Sequence, residues 1–164
     1  MTAKAVWPFP GSPVVSVADL KLVKTRNVKT PCKATPGSAC FDIFVPDDHE
    51  PITIEPGKTG TFKTGLKVAI PEGWVMLINS RSGMGFKHQV RLSNCQGVID
   101  SDYREEIGVQ LFNDNSSNAV TVNPGDRIAQ FWLQPVWSVE IEEVESLGET
   151  ERKGGFGSTG GFSG

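Results

Sequence analysis

Short apolar segments alternate along the whole chain with clusters of Gly, Pro, Asn and Asp. Ile107, Val109 and Leu111 are separated by Gly108 and Gln110. That is the period of two required of a strand with one buried face. Trp74-Val75-Met76-Leu77-Ile78 is apolar throughout, and such a run predicts a strand buried on both faces. Comparable segments predict strands over 40–45, 60–64, 66–70, 119–122 and 128–133. Pro56-Gly57, Pro71-Glu72-Gly73 and Pro124-Gly125-Asp126 predict turns between them, because Pro fixes φ and Gly tolerates positive φ. No long stretch keeps a helical period, so the one helix expected is short, around 82–88. Strands at this density imply an all-β fold of sandwich, jelly-roll or barrel type.

Composition narrows the picture. A chain of 164 residues is long enough for one domain with a real core and too short for two ordinary ones. No apolar run approaches the ~20 residues that span a bilayer, so no membrane association is expected. Net charge is −3, whereas a general nucleic-acid binder is usually basic. A polyanionic ligand would therefore be held by local cations, drawn from Arg81, Lys87, Arg91, Arg104, Arg127, Arg152 and Lys153. Cys32, Cys40 and Cys95 are odd in number and lack metal-type spacing, which excludes a disulfide framework and fits a reducing compartment. His49 and His88 have no partners visible in sequence and are assigned neither to zinc nor to base catalysis. Trp74, Trp132 and Trp137 are assigned to the core. Residues 1–13, broken by Pro8, Pro10 and Pro13, lack the apolar centre of a secretory signal and are expected to form a flexible arm. An intracellular protein follows, cytoplasmic in the first place, with a nuclear location left open.

Three clusters carry chemistry. Arg81-Ser82-Gly83 follows an apolar strand and combines a cationic fork, a hydroxyl and a glycine, a set suited to phosphate. From Asn94 to Arg104 the chain reads NCQGVIDSDYR. Its two carboxylates, Asp100 and Asp102, would share a face if extended, and it holds the chain's single Tyr, Tyr103. The tail from Arg152 reads RKGGFGSTGG. Closely spaced glycines let backbone N–H groups converge on an anion, Ser158 and Thr159 add hydroxyls, and Phe156 offers a face for a base. Most Gly/Ser stretches are solvated linkers; the arginine, aromatic and hydroxyls within this one favour a ligand.

In this order the clusters resemble the homotrimeric-type dUTPase family. The five motifs of that family are matched by PGSACFD (36–42), RSGM (81–84), GVIDSDYR (97–104), GDRIAQ (125–130) and GGFGSTG (154–160). Cys40 and Glu105 stand where the family usually has Gly, and Arg152 lies one residue closer to the last motif than usual. The resemblance implies a β jelly roll, a homotrimer with shared active sites, a core domain over 14–147 and a glycine-rich C-terminal lid over 148–164. It also implies hydrolysis of dUTP to dUMP and pyrophosphate by water attack on the α-phosphate, keeping uracil out of DNA and supplying dUMP for thymidylate synthesis. Asp100 would activate the water. Tyr103 would pack under the deoxyribose and exclude a 2′-OH. Asn94 with the backbone of Gly97, Val98 and Ile99 would read uracil. Arg81, Ser82, Gly83, Gln130, Arg152, Gly157, Ser158 and Thr159 would bind the phosphates, with Phe156 covering the base. Mg²⁺ would travel on the triphosphate without a direct protein ligand, and Asp42 would touch its water shell or, preferably, brace the site. Two other readings stand beside this one. One is a dCTP deaminase-like enzyme of the same superfold; the other is a nucleotide-sensitive regulatory protein, with an unknown protein partner, on the same scaffold.

Overall fold

The computed structural model describes residues 18–151 and Gly154; the expected arm over 1–13 lies outside these residues, as do Arg152, Phe156, Gly157, Ser158 and Thr159. Among the described residues there are eleven strands and one helix. The strands are β1 (Lys21–Lys24), β2 (Phe41–Phe44), β3 (Ile52–Ile54), β4 (Thr59–Lys63), β5 (Leu66–Ala69), β6 (Trp74–Asn79), β7 (Val90–Leu92), β8 (Gln96–Ile99), β9 (Gly108–Asn113), β10 (Val120–Val122) and β11 (Arg127–Pro135). The helix α1 (Ser82–His88) lies between β6 and β7. The mostly-β architecture and the short helix are those the sequence predicts. No helix among the described residues is long and apolar enough to cross a membrane.

Every strand pairing is antiparallel. The strands form a four-stranded sheet β2-β11-β6-β8, a three-stranded sheet β4-β9-β7 and two ribbons, β1-β5 and β10-β3. Alternation explains the pairing faces. Val109 and Leu111 of β9 are buried while Gly108 and Gln110 are exposed, and Gly60 and Phe62 of β4 point inward opposite them. Ile43, Ile54, Phe62, Leu66, Met76, Leu92, Leu111 and Ile128 form the most deeply buried part of the core. Removing each such side chain from water contributes roughly 1.5–3 kcal/mol.

Two polar side chains buried in this core are satisfied by backbone. Thr64 donates to the Ile107 carbonyl at 2.7 Å, and the Asn113 amide donates to the carbonyls of Ile54 and Asn118 at 2.8 and 2.9 Å. The three expected turns are present, with Gly57, Gly73 and Gly125 at φ of 69°, 78° and 78°.

Two expectations about burial are corrected. In β6 only Met76 and Ile78 are fully buried, while Trp74, Val75 and Leu77 are half-buried. The second face of the central sheet is thus incompletely covered within one chain. Trp137 is not core: it lies past the end of β11 and is 69 % exposed, whereas Trp74 and Trp132 are half-buried. The segment 136–151 has neither helix nor strand, and Val139, Ile141 and Leu147 are exposed along it.

Candidate active site

Asp42 is the organising charge. It sits on β2 between Phe41 and Ile43, and its carboxylate is almost wholly buried. Burying a lone carboxylate is prohibitive unless it is paired. Here it is paired twice, with Arg81 Nε at 2.8 Å from Oδ1 and Arg127 Nη1 at 3.2 Å from Oδ2. Arg81 also donates to the Arg127 carbonyl at 3.4 Å.

The backbone brings these groups together. β11 pairs with β2 on one side and β6 on the other, so Gln130 lies level with both Asp42 and Asn79. A register shift between Arg127 and Ala129 re-aims the start of β11. Gln130 then donates to the Ser80 carbonyl at 3.0 Å, and the Ser80 hydroxyl accepts the Leu92 N–H at 2.9 Å. The two guanidiniums take up both oxygens of one carboxylate. Both arginines line an open groove of about 270 Å³, with Met84, His88 and Asp126. Ser82 and Gly83, in the first turn of α1 beside Arg81, are exposed.

A second groove, of about 360 Å³, opens between β8 and β9. Four expected site residues line it: Asn94, Gly97, Val98 and Ile99. Ile78, Leu92 and Val109 supply apolar wall, and Thr61, Ser93 and Gln110 supply polar groups. The turn that presents Asn94 is held by Ser93 N–H donating to the Gln110 carbonyl at 2.9 Å and by Gln96 Nε2 donating to Asn79 Oδ1 at 2.9 Å. Cys95 takes a positive φ of 63° there. Gly97 faces Ile78 across the β6-β8 pair. A Cβ at Gly97 would stand 3.2 Å from that of Ile78, so only glycine permits this strand spacing without adjustment.

Asp100 lies just past β8 and is exposed. It lines a third groove, of about 490 Å³, with Val98, Ser101, Trp74 and Trp137. Asp100 and Asp102 do not form the extended pair considered from sequence. The chain turns at 101–102 and the Tyr103 N–H donates back to the Asp100 carbonyl at 3.2 Å. The Tyr103 hydroxyl donates to the Glu106 carbonyl at 3.0 Å, which fixes the ring while leaving it 37 % exposed. Arg104 curls back onto the carbonyls of Ser101 and Tyr103 at 2.7 and 2.8 Å.

One chain thus unites PGSACFD, RSGM and GDRIAQ around Asp42, and holds Asn94, Gly97, Val98 and Ile99 in another groove. Asp100 opens onto a third. Arg127 was named among the possible cations, but its place on Asp42 was not foreseen; Asp and Arg lie 85 positions apart, a separation that carries no local signal. Cys40, beside this node, has its thiol pushed up by burial and then by the Asp42 carboxylate, with Lys33 opposing.

Residues 26–160 match the family model for dUTPase. The chain is 41 % identical over 142 residues to the deoxyuridine 5′-triphosphate nucleotidohydrolase of Finegoldia magna, covering 86 % of this chain and 98 % of that one. Among solved structures it is similar to a mutant dUTPase of Staphylococcus bacteriophage 80alpha with dUpNHpp. The TM-score is 0.75 at 27 % identity, over 87 % of this chain and 98 % of that one. It is also similar to a mutant dUTPase from phage phi11 of S. aureus, described for its coordination of a structural Mg(II) ion. There the TM-score is 0.70 at 26 % identity, over 79 % of this chain and 98 % of that one.

Proposed function

As the chain belongs to the dUTPase family, we propose that it hydrolyses dUTP to dUMP and pyrophosphate through the residues described above. The observation that carries this reading is the division of labour between its grooves. One offers polar groups beside an apolar wall, as a base needs, and another presents two arginine side chains.

Uracil enters the groove of Asn94, Gly97, Val98 and Ile99. The Asn94 amide and the strand backbone pair with its polar edge, and Ile78, Leu92 and Val109 supply the apolar wall against the ring. A buried polar group left unpaired by the wrong base gives far stronger rejection than a missing methylene does. The fixed ring of Tyr103 packs under the deoxyribose and excludes a 2′-OH. Arg81, Ser82, Gly83 and Gln130 bind the phosphate chain, with Arg152, Gly157, Ser158 and Thr159 added from the C-terminal segment and Phe156 over the base. Asp100 accepts a proton from water as its oxygen attacks the α-phosphorus. The bond from that phosphorus to the bridging oxygen breaks, and pyrophosphate leaves. The exposure of Asp100 leaves its carboxylate within reach of water and substrate.

Asp42 acts as a brace. Both its oxygens are taken by arginines, so it is poorly disposed toward a metal. Among the described residues no group of three or more His, Cys, Asp or Glu could hold one. Mg²⁺ would be carried on the triphosphate oxygens with retained waters, where it would neutralise phosphate charge.

The complete site is assembled by three copies of a jelly-roll chain. Two observations support this: the base groove and the arginine-lined groove belong to different parts of one chain, and Val136, Trp137, Val139, Ile141 and Leu147 expose an apolar strip beyond β11. The glycine-rich segment closes as a lid, since ordering it costs roughly 1–2 kcal/mol per residue and only a triphosphate offers enough contacts to offset that. The decisive test is pyrophosphate release from dUTP against dTTP, dCTP and UTP. Release from dUTP alone supports the reading, and equal release from all four refutes it. Deleting residues 154–164 is expected to leave a trimer in sedimentation with little turnover, and full activity of that variant would remove the lid.

A further inference from the structure

Resting on the function just proposed, we infer that His88 is a third cationic contact for the phosphate chain, beside Arg81 and Arg127. His88 ends α1 and lines the same groove as both arginines. The groove's other charged groups do not suffice for a polyanion. Arg81 and Arg127 are both engaged with Asp42, and a second carboxylate, Asp126, lines the wall. Two guanidiniums therefore face two carboxylates, and the side chains of the groove are neutral in sum unless His88 is charged.

Geometry favours that contact. Ser82 and His88 stand at the two ends of α1, about 9 Å apart along its axis. A phosphate chain beginning beside Ser82 can extend toward His88. The helix C-terminus favours a cation at its last turn, and an imidazolium there offers N–H donors to phosphate oxygens. Lys87 precedes it on the same turn. From β7, Arg91 is held by Asp114 at 2.6 Å, and the Asp114 N–H donates to the carbonyl of Gln89, next to His88. Asp114 is thus committed to Arg91. The residue was set aside from sequence because no partner for metal or base chemistry was visible; a phosphate contact needs neither.

The test compares His88→Gln and His88→Lys with the wild-type enzyme at about pH 6. His88→Gln is expected to raise KM for dUTP roughly three- to tenfold, with kcat changed less than twofold. Inhibition by inorganic pyrophosphate should weaken in step, while inhibition by dUMP, which lacks the outer phosphates, should not. His88→Lys should restore wild-type KM, which a loss of packing would not allow. An unchanged KM in His88→Gln, equal weakening of dUMP, or failure of His88→Lys to rescue overturns the inference and leaves the proposed reaction standing. A wild-type enzyme that releases no pyrophosphate from dUTP overturns the reaction itself.

Discussion

Two acidic residues of this chain sit in opposite circumstances. Asp42 is buried on β2 and clamped by arginines from positions 81 and 127, so its environment is built from three distant stretches of sequence. Asp100 is exposed at the end of an outer strand, in a turn whose hydrogen bonds all close within a few residues. The first arrangement fixes charge by tertiary structure; the second leaves a carboxylate ready to meet a ligand. Under the proposed function, the contrast separates a residue that holds the site from one that acts in it.

The sharpest test of the contrast is kinetic. Asp100→Asn is expected to keep the fold and nucleotide binding while turnover drops about 10²–10⁴-fold, the usual contribution of a positioned acid or base. Rapid-mix pyrophosphate assays beside a thermal melt check it; near-normal turnover would take Asp100 out of catalysis. Asp42→Ala should do the reverse, lowering stability first. It leaves two arginines facing each other, and because both retain solvent contact the expected cost is about 1–3 kcal/mol rather than the larger penalty of a fully buried pair. Denaturant midpoints measure this, and a wild-type midpoint would mean that the node is not structural.

Tyr103→Ala should have a smaller and more specific effect, raising UTP hydrolysis relative to dUTP by roughly tenfold while the melt is little changed, since the ring is partly exposed. An unchanged ratio would assign sugar selection elsewhere. The mildest test uses thiols. Cys95, exposed on its turn, should alkylate well before Cys40, whose thiol burial and Asp42 push up, so that less thiolate is present. Mass spectrometry of partly labelled protein would report the order, and equal rates would contradict the buried charge beside Cys40.

Much of the fold is legible in sequence where one periodic signal is long enough. Val109 and Leu111 announce β9, and the segment 82–88, free of strand pattern, becomes α1. β1, β3, β7 and β8 were not predicted. They are three or four residues long, which gives a period little room to emerge, and each is held by hydrogen bonds to a partner distant in sequence: β7 and β8 by the longer β9 and β6, β1 and β3 by β5 and β10 of their own length. For the site, local motifs located Arg81, Asn94 and Asp100 as candidates. The Asp42–Arg127 pairing was invisible because it depends on register between β2 and β11, and the exposure of Trp137 because apolar character alone does not say which chain will cover it.

The contact between Gly97 and Ile78 has a further consequence, for how selectivity can change by mutation. At position 97 a side chain is missing between two paired strands, with 3.2 Å of would-be approach to the Cβ of Ile78. Both residues line the same groove. Shortening Ile78 to Val would not relieve that approach, because Val keeps the Cβ. A carbon added at position 97 would press on it, and the shared wall would have to give. Under the proposed function, Gly97→Ala is thus a one-carbon change able to alter discrimination among pyrimidines.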